Sequence, residues 1–475
     1  MLPGYLKAVP VLVTVIAIVA CSSIAYSPRP LDPQASASAF LARSADGDDL
    51  KRFVTANGYA AGAWPPQQWG LRELTLVALY FHPDIRAAQL RAQAAHAELG
   101  SGAQSQAWGL RFKPEYHSQK PPESKGPWTL GLELEIPLVA QAKGEARAER
   151  SAFLADAADL DVANAAWLAR GRVRDRYLDL QASHDALASL DAQLAARKEM
   201  LGLVNRRVEA GMLSARDLGV ERIAYSQLER LRSQELARQQ RAKGELAAAL
   251  GLSLEVLDHV ALRFGADASA PADMDAAALR GMALRNRLDV HRKLLEFGAA
   301  DADVKAAVAA QNPDITLGPG YAWDQGDHIW SLAIGLSLPP AARTRASIRE
   351  ALTRRELAAQ QFEATQADVI ALAERNGAQY LLARNRMAGA ELQLQMQRQQ
   401  ETLMNRQFDA GAADRMQRVT ARIDMLASES TFQAAAVELR QALAQLEDAV
   451  QRPLLGDFEA LPDMQLQRSA GMSKP

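Results

Sequence analysis

Few residues of this 475-residue chain stand in patterns that could support covalent or metal chemistry. The seven histidines never lie four positions apart, so the helical two-histidine zinc motif is absent. Cys21 is the single cysteine, which excludes an intramolecular disulfide and a cysteine-based zinc site. The sequence has no nucleophile elbow, phosphate-binding loop or dinucleotide fingerprint. We therefore predict that the protein is not an enzyme, and we expect no metal and no bound cofactor.

The overall charge excludes one class of partner. The chain has 54 basic and 56 acidic side chains and a formal net charge of -2. Proteins that bind nucleic acid usually present a strongly basic surface, so we predict no nucleic-acid partner. The apolar fraction of 48% and the charged fraction of 23% are typical of globular proteins, which excludes wholesale disorder.

Cys21 ends an uncharged apolar run at residues 8–20. This run is shorter than the roughly 20 residues that span a bilayer, and it is typical of a signal peptide. The segment Ile18-Val-Ala-Cys-Ser22 resembles a bacterial lipoprotein signal, which implies cleavage of residues 1–20, lipid on Cys21 and, through Ser22, the outer membrane. The alternative is a free buried thiol after an ordinary cleavage. Residues 21–70, rich in Pro, Ser, Ala and Gly, predict a poorly structured lipid-anchored tether.

The rest of the chain contains an internal duplication. The run Asn205–Gly211 (NRRVEAG) recurs 200 residues later as Asn405–Gly411 (NRQFDAG). We predict repeat 1 over 71–265 and repeat 2 over 275–455, followed by a flexible C-terminal tail at 456–475.

Each repeat carries a predicted strand pair, at 105–138 and at 312–338, in which apolar and polar residues alternate. In 128–138, Trp, Leu and Ile lie on one face, while Glu133 and Glu135 lie on the other with Thr and Gly. Such segments are typical of outer-membrane β-barrel strands, although a half-buried soluble hairpin shares the alternation. Four strands cannot close a barrel, since membrane barrels have about eight or more, so a membrane-inserted chain must oligomerise.

Long helical hairpins follow the strand pairs. The 21 prolines leave two long gaps, between Pro137 and Pro271 and between Pro340 and Pro453. Proline costs about 3 kcal/mol inside a helix, so the gaps predict long helices. In each repeat we predict an initial amphipathic helix, a descending helix and a returning helix, at about 71–104, 139–208 and 214–250 in repeat 1, and 275–310, 341–408 and 414–451 in repeat 2.

The order of these elements, the tandem halves, the Ala-Gly turns and the lipoprotein-like signal together resemble the TolC-like outer-membrane efflux family, especially its lipidated branch. The resemblance implies a mainly α fold with a small membrane β part. Long hairpins would form a trimeric α-barrel, and four strands per chain would contribute to a 12-stranded β-barrel. It further implies a passive exit duct for small molecules, anchored in and spanning the outer membrane with a large periplasmic part.

The same resemblance implies a homotrimer that meets outer-membrane lipid, a periplasmic membrane-fusion adaptor and an inner-membrane pump. The alternative function is a lipid-anchored periplasmic coiled-coil adaptor or scaffold, because adaptors can also be lipidated and carry a helical hairpin. Adaptors usually have one such hairpin, whereas this sequence predicts two.

Residues at the turns between the long helices match the family's periplasmic tip. The resemblance implies that adaptor docking falls on Ala210, Gly211, Met212, Ala410, Gly411 and Ala412. It makes Asp217, Asp414 and Gln417 candidates for holding the channel aperture closed. Asp217 and Gln417 also stand three residues after Ser214 and Asp414, which predicts helix-capping boxes, and Asp217 could act only in this way.

Glu133 and Glu135 would face the lumen of the barrel. Multiplied by three subunits, they would form an acidic ring that favours cations, although ordinary polar lining would use the same residues.

Overall fold

The computed structural model describes residues 26–60, 63–102, 108–119, 122–138, 141–265 and 275–454. The predicted signal peptide (1–20), Cys21 and the predicted tail (456–475) lie outside these ranges. The chain divides into two compact units, 1–43 and 44–475. In the described part of the smaller unit, helix α1 (Pro33–Leu41) begins at Asp32, whose carboxylate accepts a hydrogen bond of 2.9 Å from the Gln34 amide.

The described part of the larger unit is mainly helical, and the order of two helices, two strands and two long helices occurs twice along it. Before and within repeat 1 the elements are α2 (Asp48–Ala56), α3 (Leu71–Phe81), α4 (Pro83–Gly102), β1 (Gly109–Tyr116), β2 (Trp128–Leu138), α5 (Gln141–Glu209) and α6 (Ala215–Leu250). A short α7 (Leu254–Asp258) precedes α8 (Ala276–Asn286), α9 (Leu288–Ala309), β3 (Asp314–Asp324), β4 (Asp327–Ser337), α10 (Ala341–Asp409) and α11 (Arg415–Val450). The helices α5 and α10 have 69 residues each, which at about 1.5 Å per residue makes each about 100 Å long.

The four strands form one antiparallel sheet in the order β1-β2-β3-β4. The two predicted hairpins are therefore joined through β2 and β3, where Leu132 pairs with Tyr321 and Leu138 with Ile315. Because side chains alternate along a strand, these pairs put most of the large apolar residues of the four strands on one face, whereas Ile329 of β4 lies on the other. Many of them are exposed, including Leu132, Trp330, Leu332 and Ile334.

Each predicted initial helix is instead two helices. His82 is extended (φ -67°, ψ 124°) between α3 and α4, because a residue before proline avoids the helical region, and Pro83 then opens α4. The corresponding break in repeat 2 falls at Arg287, which is also extended (φ -69°, ψ 117°). No proline follows it. Instead, the Arg287 guanidinium bonds Asp289 at 2.9 Å and the Asp448 carbonyl oxygen at 3.1 Å.

The predicted loose tether is wrong for residues 44–60 and 63–70. Leu50 and Val54 of α2 are buried in a core that also contains Trp64 and Trp69. The Trp64 indole donates a hydrogen bond of 3.0 Å to the Ala45 carbonyl oxygen. The Trp69 amide bonds the Ala261 carbonyl oxygen at 2.9 Å. Small and turn-forming residues dominate this segment, but its few large apolar residues are enough to pack it against repeat 1.

The hydrophobic cores of the larger unit lie where different helices pack against one another. The cluster around Leu50 and Trp69 also takes in α3, α5 and α6, through residues such as Leu74, Val173 and Leu246. A second cluster joins α8, α10 and α11 and contains Leu279, Tyr380 and Leu446. A third joins α5 of repeat 1 to α11 of repeat 2, near the turns that end the long helices.

Candidate functional site

The turns between the long helices have the same backbone geometry in both repeats. Gly211 and Gly411 adopt left-handed conformations, with φ of 69° and 74°. The next amide bonds back across the turn, from Met212 to the Arg207 carbonyl oxygen and from Ala412 to the Gln407 carbonyl oxygen, both at 2.8 Å. This six-residue closure satisfies carbonyl groups at the helix end and favours glycine, since a Cβ strains the left-handed conformation.

All six residues predicted to dock an adaptor are exposed at these turns: Ala210, Gly211, Met212, Ala410, Gly411 and Ala412. Met212 is 67% exposed, a large apolar side chain at the end of a helical hairpin. The surface is therefore accessible in this chain, and its docking role stays a prediction.

Both predicted capping boxes form. The Ser214 hydroxyl accepts a hydrogen bond of 3.3 Å from the Asp217 amide, and the Asp217 carboxylate accepts one of 2.9 Å from the Ser214 amide. Asp414 and Gln417 make the equivalent reciprocal pair at 2.8 Å each. The hydrogen bond from the Ser214 hydroxyl, and then that from its amide, lower the pKa of Asp217.

Asp414 has a second partner that the sequence reasoning missed. Its carboxylate lies 3.0 Å from the Arg207 guanidinium of the other hairpin. Close by, Arg415 of α11 bonds Glu199 of α5 at 2.7 Å. The amide of Gln417 and then the Arg207 side chain lower the pKa of Asp414. Two ion pairs thus join the two hairpin tips within one chain.

Apolar packing supports these ion pairs just behind the tips. Met200 and Val204 of α5 are buried with Val419 and Ile423 of α11. A buried side chain of this size stabilises by about 1.5–3 kcal/mol, whereas an exposed ion pair contributes about 0–1 kcal/mol. Packing therefore contributes more than the ion pairs to holding the tips together. The aperture role predicted for Asp217, Asp414 and Gln417 stays a prediction.

The sheet provides a second candidate region, on the face opposite its apolar residues. This polar face, as we call it, bears Arg111, Lys113, Glu115, Thr129, Glu133, Glu135, Asp314, Thr316, Asp324 and Asp327, together with Pro137, Ile329 and several glycine, alanine and serine residues. Glu133 and Glu135 lie on it as predicted. Arg111, which the sequence reasoning missed, lies 3.6 Å from Glu133 and 3.2 Å from Glu135. Its signal was its position in β1, directly opposite Glu133 in the antiparallel register.

Two further features of the described ranges concern metal sites and membrane-spanning helices. No group of three or more His, Cys, Asp or Glu side chains among them could hold a metal ion. None of their helices is long and apolar enough to cross a membrane.

Residues 279–450, which include α10 and α11, match the family model described as outer membrane efflux protein. The second repeat is therefore similar to an outer membrane efflux protein domain. The match ends at the last residue of α11, so the family's domain includes the tip at Gly411. No curated protein is similar enough in sequence to count as a match.

Solved structures with the same fold extend the similarity beyond that domain. The outer membrane protein VceC from Vibrio cholerae has a TM-score of 0.66 at 17% identity, covering 81% of this chain and 96% of VceC. A membrane protein from Pseudomonas aeruginosa has a TM-score of 0.65 at 21% identity, covering 90% and 100%. The Campylobacter jejuni CmeC outer membrane channel has a TM-score of 0.65 at 14% identity, covering 82% and 87%.

The match to the efflux family model and these structures confirm the resemblance to TolC-like outer-membrane efflux proteins and the predicted mainly α fold with four strands per chain. At such low identities the solved structures establish the fold. They do not assign the tip or polar-face residues any role.

Proposed function

We propose that this protein is an outer-membrane channel that serves as the exit duct of a tripartite efflux system. Small molecules would leave the cell passively through it, from the periplasm or from an inner-membrane pump. The observation that carries the proposal is the four-stranded sheet, with one exposed apolar face and one polar face, in a chain with an outer membrane efflux protein domain. A lipid-facing and a lumen-facing side are what a membrane β-barrel strand requires.

Assembly from several chains follows from the edges of this sheet. Within the described residues, β1 pairs with β2 alone and β4 with β3 alone. Unpaired backbone groups are costly in lipid, at several kcal/mol each, so the edges need strands from other copies. A homotrimer would supply 12 strands from four per chain. Exposed apolar residues on α6 and α10, such as Ile223 and Leu392, support helical contacts between copies.

The helical tips and the N-terminus complete the proposal. The exposed turns at Gly211 and Gly411 would dock a periplasmic membrane-fusion adaptor that connects the duct to the pump. Lipid on Cys21 would tether the chain to the outer membrane. CmeC, which shares the fold, is described as an outer membrane channel, and this supports a channel here.

Membrane fractionation and electrical recording test this function. The full chain should be found in the outer membrane as an oligomer that falls to a monomer only on boiling before electrophoresis. In planar bilayers it should conduct ions. A monomer in the soluble or inner-membrane fraction that shows no conductance would contradict the duct and favour the adaptor or scaffold.

A further inference from the structure

Three charged residues form a cluster in the middle of the polar face. Arg111 of β1 contacts both carboxylates of β2, with Nη1 3.6 Å from Glu133 Oε2 and Nη2 3.2 Å from Glu135 Oε2. All three side chains lie on the same side of one strand pair, since Arg111 is opposite Glu133 and Gly109 opposite Glu135. The arginine therefore bridges two acids that stand next to each other on the same face of β2.

On its other side the cluster lies against Gly318 of β3, which has no side chain. A Cβ on Gly318 of β3 would lie 2.7 Å from Glu133 Oε1, so the carboxylate occupies the space above this glycine. Glu133 is accordingly the least exposed of the three side chains, at 29% against 44% for Glu135 and 55% for Arg111. Its charge is fixed between β1 and β3, while Arg111 and Glu135 stay accessible to solution.

The remaining charges of the polar face lie outside this cluster. Lys113 and Glu115 form their own pair at 3.7 Å. Asp314 is bound by Lys143 at 2.6 Å, and Asp324 and Asp327 stand together where β3 turns into β4. Around Glu133 and Glu135, the facing residues of β3 and β4 are small and uncharged, such as Gly320 and Ser331. Arg111 is thus the cation that decides the net charge at this level of the sheet.

We propose that Arg111 sets the charge selectivity of the pore by neutralising one of the two acids it contacts. This inference rests on the proposed channel function. With Arg111 present, the cluster carries one net negative charge per chain, and without it two. In an oligomer the difference is multiplied around a ring, and rings of like charge in a pore attract the opposite ion. Arg111 therefore moderates a cation preference that Glu133 and Glu135 alone would make strong.

Reversal potentials in planar bilayers under a KCl gradient test the proposal. Arg111→Gln should raise the ratio of K⁺ to Cl⁻ permeability by about twofold or more, because screening is weak between charges closer than the Debye length. Arg111→Lys, which keeps the charge, should restore the wild-type ratio. Arg386→Gln is the matched control, since it breaks an arginine–glutamate ion pair on α10 and α11, away from the sheet, and should leave the ratio unchanged.

A second variant, which removes the two acids instead of the arginine, keeps the proposal testable if Arg111→Gln does not fold. Glu133→Gln with Glu135→Gln should lower the permeability ratio below wild type, even if Arg111→Gln fails to assemble. A ratio for Arg111→Gln equal to that of Arg386→Gln, or an unchanged ratio in the double glutamine variant, would overturn the role of Arg111 while leaving the channel intact. Wild-type protein that never conducts would instead overturn the proposed function and this inference with it.

Discussion

Arg174 of α5 and Glu447 of α11 lie 273 residues apart in sequence and meet at 2.9 Å in the interior. Both are fully buried, and the Arg174 guanidinium also bonds Asp448 at 2.6 Å. Burial disfavours the charge of Arg174, but the charges of Asp448, Asp175 and Glu447 outweigh it and raise its pKa. This ion-pair network connects the long helix of repeat 1 to the last helix of repeat 2.

Glu447→Gln should destabilise the fold by about 3 kcal/mol, near the lower end of the cost of removing one partner from a buried ion pair. The reason is that Arg170 and Arg174 would remain buried beside a neutral group. Thermal and denaturant unfolding followed by far-ultraviolet circular dichroism measure the change. Glu438→Gln is the control, because Glu438 pairs with Arg386 on the surface and such a pair contributes only about 0–1 kcal/mol. Equal stability of the two variants would refute the importance of the network.

Arg207→Ala should increase the conductance of the channel or its leak to antibiotics. The substitution removes the ion pair with Asp414 that joins the two hairpin tips, and the hydrophobic contacts behind it remain. The neighbouring exposed Arg206 supplies the control variant, Arg206→Ala, for which we expect wild-type conductance. If both variants conduct like wild type, the tip ion pair does not hold the channel closed.

Asp414→Ala should open the channel more than Asp217→Ala does. Both carboxylates cap a returning helix, but Asp414 also binds Arg207 of the other hairpin. The Asp217 carboxylate bonds the Ser214 amide and, at 2.7 Å, the Ser214 hydroxyl, within its own cap. Single-channel recordings of the two alanine variants measure the difference. A larger conductance for Asp217→Ala would assign the aperture role to Asp217 instead.

Low pH should weaken the contact between the two hairpin tips. The pKa of Asp414 is lowered in the folded protein from its ordinary value of 3.8, so the carboxylate stabilises the tip fully above that pH. The stabilisation is lost as the pH falls through the lowered pKa, where Asp414 becomes protonated and its bond to Arg207 weakens. Conductance measured while the periplasmic side is acidified below 3.8 should therefore rise. Asp414→Asn should already be open at neutral pH and should lose this pH dependence.

Cys21→Ser should abolish incorporation of labelled palmitate into the protein, because serine cannot form the thioether that lipid attachment requires. Mass spectrometry of the N-terminal peptide should show the lipid in the wild type and its absence in the variant. Ser22→Ala is the control and should keep the lipid. An unmodified Cys21 in the wild type would favour the free-thiol alternative.

Local sequence signals determined most of the helical architecture of this protein. The long helices end at left-handed glycines, Gly211 and Gly411, and the returning helices begin at the caps Ser214 and Asp414. These signals involve residues only a few positions apart, so the helix ends can be predicted from residue spacing. The alternation in β2 likewise assigned Glu133 and Glu135 to one face before any partner strand was known. The break at His82 could also have been predicted, because Pro83 restricts the residue before it.

The tertiary structure decided which distant segments meet. Three contacts join the two repeats: the pairing of β2 with β3, the ion pair of Arg207 with Asp414, and the buried ion pair of Arg174 with Glu447. Trp69 likewise lies in the core and forms backbone hydrogen bonds with Ala261 and Arg263, about 190 residues further along the chain. A periodic pattern in the sequence predicts which face of a helix or strand is apolar or charged. It does not predict which other helix or strand packs against that face, because many elements have a compatible face. That choice depends on the topology of the chain and on how well the side chains fit together, which only the folded structure determines.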